Sequence, residues 1–260
     1  RPREMTTSPI KVSWGHDAGL LTLTLARPKR NIIDQAMVEA LQTALEQHTH
    51  EPTLRAILLQ AEGPHFSFGA SVEEHLPGEC EQMLKSLHRL VLTLLDSPTP
   101  VLAAIQGQCL GGGLELACTA SLLFAAPNAT LGQPEIQLAV FAPAASCLLP
   151  ELIGPAAASD LLLSGRTISG ADAKVCGLVT ALDNDPAALA LAYFDQHLAS
   201  RSASSLRLAT RAARADLASR VRTRLAAVEQ LYLDELMTTH DAVEGLEAFL
   251  QKRSPRWQHR

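Results

Sequence analysis

Apolar and polar positions alternate with a period of two over residues 10–14 and again over residues 20–25, on either side of Asp17-Ala18-Gly19. This pattern predicts a hairpin entering a sheet. From Asp34 the period lengthens: Met37, Leu41, Ala44 and Leu45 recur at helical spacing, and Asp34 is placed to cap the helix. Residues 54–60 read as a buried strand stopped by Glu62-Gly63-Pro64, and residues 66–69 as a strand ending in Gly69-Ala70. Leu84, Leu87, Leu90, Val91, Leu94 and Leu95 mark an amphipathic helix that Ser97-Pro98-Thr99-Pro100 terminates. Residues 101–105 are uniformly apolar and lead through Gly111-Gly112-Gly113 into a helix over 114–123. Short strands are expected at 122–126 and 129–131, and helices over 147–153, over 156–163 and from a cap at Ser169. A last strand is expected over 177–182.

Strands that alternate with helices imply an α/β fold with a largely parallel sheet and right-handed crossovers. After residue 184 strand patterns vanish and helix formers dominate. The expected division is therefore a core over 5–184 and a helical region over 185–260. No internal repeat is apparent.

Composition narrows the function classes. At 260 residues, 47% hydrophobic and 19% charged, the chain can bury a substantial core. Its net charge of −5 gives no basic face for nucleic acid. No apolar run is long enough to span a bilayer, and no signal-peptide pattern opens the chain, so a cytoplasmic protein is expected. Arg1 to Glu4, ahead of Met5, read as an appended remnant. Cys80, Cys109, Cys118, Cys147 and Cys176 contain no C-x-x-C pair and read as reduced core thiols, and no compact His/Cys set suggests a metal. Arg207, Arg211, Arg214, Arg220, Arg222 and Arg224 form a cationic stripe, read as a solvated face paired with neighbouring acids or as a contact for a phosphate-bearing ligand or another subunit. Lys252 and Arg253 are open to the same two readings.

The candidate chemistry starts from Gly111-Gly112-Gly113, where a strand feeds a helix start. Uncovered backbone N–H groups at such a corner can meet a developing negative charge. The N–H of Ala70 would reach the same sheet edge, so two donors from separate loops can converge on one oxygen. Glu115 and Glu135 would supply proton-transfer groups; each also has a structural reading, Glu115 as a favourable charge at a helix N-terminus and Glu135 as part of a Pro-Glu turn. Arg27-Pro28-Lys29-Arg30 places three cations in four positions, suited to phosphates or to a solvated loop. His75 sits near the expected mouth, either against a ligand or on the loop surface.

In order and spacing, these motifs resemble the crotonase family, the enoyl-CoA hydratase and isomerase group, over essentially all of residues 10–257. The match is carried by Arg27-Pro28 with Asn31, residues 66–70, 100–107, 111–117 and 131–136, Ser164-Gly165-Arg166, Ala171-Asp172-Ala173, Gly177-Leu178-Val179 and the closing 245–255 segment. The resemblance implies a spiral of repeated ββα units, a helical C-terminal trimerisation region, assembly as a homotrimer or a hexamer, and an acyl-CoA thioester as substrate with no metal or other cofactor. By the same resemblance Ala70 and Gly112 are the oxyanion donors. Glu115 is the residue that activates water and Glu135 the one that protonates carbon. Lys29, Arg30, Phe68 and Ala70 hold the CoA.

Two segments depart from the family pattern. Ser71 follows Gly69-Ala70 where many relatives have Asp, and residues 140–146, Val-Phe-Ala-Pro-Ala-Ala-Ser, replace a glycine-rich loop. Pro143 has no N–H where a glycine amide helps to hold water in ordinary hydratases. These segments, with residues 31–34 and 68–75, resemble a narrower group, the cyclohexa-1,5-diene-1-carbonyl-CoA hydratases of aromatic degradation. That resemblance implies a pocket for a cyclic acyl group shaped by Phe68, Val72, His75, Phe141 and Pro143. Hydration of a linear 2-enoyl-CoA, double-bond isomerisation and a non-catalytic binding role are the alternatives.

Overall fold

The computed structural model describes residues 8–260, so the Arg1 to Glu4 reading and the boundary at residue 5 fall outside the described residues. The chain opens with the expected hairpin, β1 (Ile10–Gly15) against β2 (Leu20–Leu25), antiparallel, with His16, Asp17 and Ala18 at positive φ in the turn. Helix α1 (Gln35–His48) follows, and its first turn is capped by Asp34, whose Oδ1 accepts from the Met37 amide at 2.9 Å. Met37, Leu41 and Leu45 are buried along one face of this helix, each stabilising the fold by about 2 kcal/mol.

Next come β3 (Ala56–Ala61), α2 (Cys80–Leu95), β4 (Val101–Ile105), β5 (Gln108–Leu110), α3 (Gly112–Cys118), β6 (Leu122–Ala125) and β7 (Thr130–Gly132). They are followed by α4 (Pro143–Ile153), α5 (Pro155–Ser164), β8 (Thr167–Ser169), α6 (Gly170–Val175) and β9 (Ala181–Leu182), and then by α7 (Pro186–Tyr193), α8 (Ala203–Asp234) and α9 (His240–Leu250). The larger sheet has the order β1-β2-β3-β4-β6-β9 and is parallel beyond the hairpin. Strand β4 lies inside it with all five residues buried, as its uninterrupted apolar run requires. A second sheet pairs β5 with β7 and β7 with β8.

Several boundaries differ from the sequence reading. Helix α3 stops at Cys118 instead of running to 123, because Thr119 turns its hydroxyl onto Leu116 O at 2.6 Å and the apolar run that follows pairs with β4. Residues 66–70 form two isolated bridges, Ser67 to Cys109 and Ala70 to Ile33, instead of a full strand. Helix α4 begins at Pro143, four residues early, since proline suits a first helical turn that has no use for its N–H. The last strand shrinks to Ala181–Leu182 because Gly177, at φ +87°, turns the chain.

Beyond β9 the described residues form helices and their connections with no further strand, up to an irregular segment after Leu250, and α8 packs back on α2 and α4 through Val221, Leu225 and Tyr232. Most of the arginine stripe is engaged within the chain. Arg220 and Arg222 pair with Glu151 and Asp96, and Arg214 donates to Thr119 O at 2.6 Å. Arg207 and Arg224 donate to Pro52 O and Ser146 O. Arg253 pairs with Glu244. Among the described residues no helix is long and apolar enough to cross a membrane.

Candidate active site

The site begins with a pinned loop. Asn31, buried and at φ +44°, donates from Nδ2 to Glu62 O and His65 O, both at 3.1 Å. Ser67 Oγ donates to Asn31 O at 2.7 Å and accepts from the Gly69 amide at 3.0 Å. Arg27 reinforces the same loop through its ion pair with Asp34. These contacts hold Gly69-Ala70 against the Gly111-Gly112 corner, so closely that a Cβ on Gly112 would stand 3.3 Å from Ala70 N. The Ala70 and Gly112 amides have no acceptor among the described residues. Two uncovered donors from separate loops therefore face one small volume.

Glu115 lies in the first turn of α3 and is 3% exposed. Its Oε1 accepts from the Ala145 amide at 2.9 Å. Ala145 is the third residue of α4, so the carboxylate occupies the place a capping side chain would take at that helix start. Pro143 at the first position withdraws no donor that the helix needs. Glu135 sits on a 3₁₀ turn (Pro134–Leu138) and is only partly buried. Gln133, 1% exposed, lies beside it. With its amide nitrogen turned to the carboxylate, Gln133 donates to Oε1 and Oε2 at 3.0 and 3.2 Å. In the opposite orientation its nitrogen donates to Gly111 O at 3.3 Å and its oxygen can accept a proton carried by Glu135. Each orientation suits one protonation state.

Both glutamates line a cavity of about 290 Å³. Its wall is mainly apolar, with Phe68, Val72, Leu84, Leu87, Phe141 and Pro143 among the side chains, and Ala70 and Gly112 at its edge. Burial pushes the Glu115 carboxyl above the usual carboxylate range, against the Ala145 amide, the charge of His88 and the Ala144 amide, which favour the ionised form. Glu135 is pushed up to about 8 by burial, reinforced by the charge on Glu115 and opposed by its own backbone amide. The charge on Glu115 is itself one of the causes that raise Glu135, so the two carboxyls titrate as a pair.

His75 also lines the cavity, half-buried, with Nδ1 2.6 Å from Ser71 O. A carbonyl only accepts, so Nδ1 carries the proton. Burial lowers the affinity of the ring for a second one, which leaves Nε2 as an acceptor.

Of the sequence-derived candidates, Glu115, Glu135, Ala70, Gly112, Phe68, Val72, His75, Phe141 and Pro143 all fall on this cavity. Lys29 and Arg30 do not line it: both are exposed on the neighbouring loop, tied to the rim where Phe68 N donates to Arg30 O at 2.9 Å. Sequence reasoning missed the α2 wall, Leu84 and Leu87, and the α9 residues Leu246 and Phe249. The helical period marked Leu84 and Leu87 as apolar without saying what they face. The i, i+3 spacing of Leu246 and Phe249 was the one available signal for α9.

The Enoyl-CoA hydratase/isomerase family model matches residues 15–260. The chain belongs to the enoyl-CoA hydratase/isomerase family. It is 61% identical over 254 residues to the cyclohexa-1,5-dienecarbonyl-CoA hydratase of Thauera aromatica, covering 98% of each chain. A probable enoyl-CoA hydratase of Bacillus subtilis (strain 168) is 33% identical, over 95% of this chain and 98% of its own. Among solved structures, an enoyl-CoA hydratase/isomerase from Pseudoalteromonas atlantica T6c superimposes with a TM-score of 0.84 at 28% identity, covering 96% of this chain and 99% of that one. The crotonase-like α/β fold expected from the motifs is thus the fold of the chain, and the likeness to the narrower cyclic group extends along its full length.

Proposed function

We propose that this protein is a hydro-lyase that adds water to a conjugated double bond of cyclohexa-1,5-diene-1-carbonyl-CoA. The observation that carries the reading is the meeting of Glu115 and Glu135 in one apolar cavity beside two acceptor-free amides. The 61% identity to a relative named for that substrate supports the cyclic acyl group.

In the proposed reaction the thioester oxygen sits between the Ala70 and Gly112 amides. Glu115, ionised, takes a proton from water while the water oxygen bonds to carbon, and the displaced electron pair moves onto the thioester oxygen. Each amide aimed at that oxygen lowers the barrier by about 3 kcal/mol. Glu135, protonated, gives its proton to the accepting carbon. One water has then been added, with Glu115 protonated and Glu135 ionised; transfer of one proton between the two carboxyls restores the starting state. The scheme calls for no metal or redox cofactor. Phe68, Val72, His75, Phe141 and Pro143 enclose the ring, and Lys29 and Arg30 meet the CoA phosphates. On the family likeness we also assign a homotrimer or a dimer of trimers built through the helical region 185–260, and a cytoplasmic setting.

Mass spectrometry on a panel of cyclic and linear unsaturated CoA esters tests the reading. The expected result is the mass gain of one water on the cyclic dienoyl ester. Much faster turnover of crotonyl-CoA, or a shifted double bond without mass gain, would overturn it.

A further inference from the structure

The polar side chains on the cavity wall are those of His75, Glu115, Glu135 and Gln137. The two glutamates are the proposed base and acid, and Gln137 is turned away, donating from Nε2 to Gly165 O at 2.9 Å. His75 has no assigned task. It ends the 3₁₀ turn Glu73–His75, and its ring is held through Nδ1, which donates to Ser71 O at 2.6 Å. That contact keeps the proton on Nδ1, so Nε2 offers a lone pair. Nε2 has no partner among the described residues and is not sealed from solvent.

The ring hangs from the loop that supplies one of the two oxyanion donors. Ser71 follows Ala70, their Cα atoms about 3.8 Å apart. Ile33 fixes both ends of this step: its N–H donates to Gly69 O at 2.9 Å, and its carbonyl accepts from the Ser71 amide at 3.3 Å. A thioester oxygen on the Ala70 amide therefore brings the acyl ring beside His75, in a cavity otherwise walled by apolar groups such as Phe68, Val72 and Phe141. An apolar wall with one unused acceptor suits a ligand that carries an O–H. The attacking water has two hydrogens, and Glu115 takes one.

We propose that His75 is a specificity-determining residue whose Nε2 accepts the other O–H hydrogen of that water, and hence the O–H of the ring hydroxyl the water becomes. The hydrogen stays on oxygen throughout, so His75 exchanges no proton. A ring without the O–H leaves Nε2 unpaired against apolar groups and binds more weakly. The inference rests on the proposed reading of the cavity as the site of the acyl ring.

Titration calorimetry in a Glu115→Gln background, which prevents turnover, tests it. The probes are 2-hydroxycyclohexane-1-carbonyl-CoA, whose hydroxyl lies on the carbon next to the one that bears the thioester, and cyclohexane-1-carbonyl-CoA, which lacks it. With His75 present the hydroxylated ester should bind roughly three- to tenfold more tightly. His75→Phe should bring the ratio near unity by weakening the hydroxylated ester alone, and His75→Gln, whose side-chain carbonyl reaches the place of Nε2, should restore part of it. Thermal melts check folding, and His75→Leu replaces His75→Phe if the latter does not fold. A ratio near unity with His75 present, or equal weakening of both esters by His75→Phe, overturns the proposal. The hydration panel decides the other level: no hydration of the cyclic dienoyl ester by wild type removes the proposed reaction, whereas hydration beside an unchanged ratio in His75→Phe removes only the role of His75.

Discussion

The two carboxyls that share the cavity are held in unlike ways. Glu115 projects from a regular helix, its Oε1 fixed by the first turn of another. Glu135 projects from a single 3₁₀ turn beside a glutamine whose amide can face it either way, and it lies at the edge of the Gly111 corner. Burial raises both, but only Glu115 accepts an amide from the start of a neighbouring helix, and Glu135 is raised further by the charge on Glu115. The lesson is that two residues of one type acquire different chemistry from their supports, one rigid and one adaptable.

Removing either carboxyl breaks the comparison most severely. Glu115→Gln and Glu135→Gln should each lower kcat for hydration by about two orders of magnitude or more while retaining binding of the CoA ester, measurable by titration calorimetry. Disturbing the support of Glu135 comes next. Gly111 has φ +52° and ψ −128°, and a Cβ there would stand 2.7 Å from Glu135 Oε1. Gly111→Ala should therefore cost about 1–3 kcal/mol of stability and lower kcat by roughly tenfold or more, read from melts and steady-state rates.

The pH profile sharpens the contrast without a mutation. Glu135 must be protonated to donate, so activity falls as pH rises through about 8. Glu115 must be ionised to accept, so activity falls as pH drops through a value above the usual carboxylate range. The expected bell in kcat/KM loses about tenfold per pH unit beyond each limb. The smallest effect belongs to Pro143, which pre-sets the first turn of α4. Pro143→Ala should cost about 0.5–1 kcal/mol, a few degrees in Tm, while leaving the Ala145 contact to Glu115 in place.

Much of this was legible in the chain because local rules decide it. The hairpin, α1 with its Asp34 cap, the buried strand β4 and the Ser169 cap follow from period and capping chemistry, and the structure has each. Strands β5 and β8, three residues each, carry no pattern of their own and exist only through pairing with β7. Glu115 and Glu135 stood out by motif, as did Ala70 and Gly112. The α9 contribution to the cavity and the contact of His88 with Glu229, 141 positions apart, depend on how the helical region folds back, which no local pattern encodes.

Infrared difference spectroscopy of the carboxyl stretch at neutral pH, in wild type, Glu115→Gln and Glu135→Gln, tests the unequal protonation of the pair most directly. A protonated-carboxyl band that disappears in Glu135→Gln and persists in Glu115→Gln is the predicted result. A band lost in Glu115→Gln instead, or no such band in the wild type, would contradict the account.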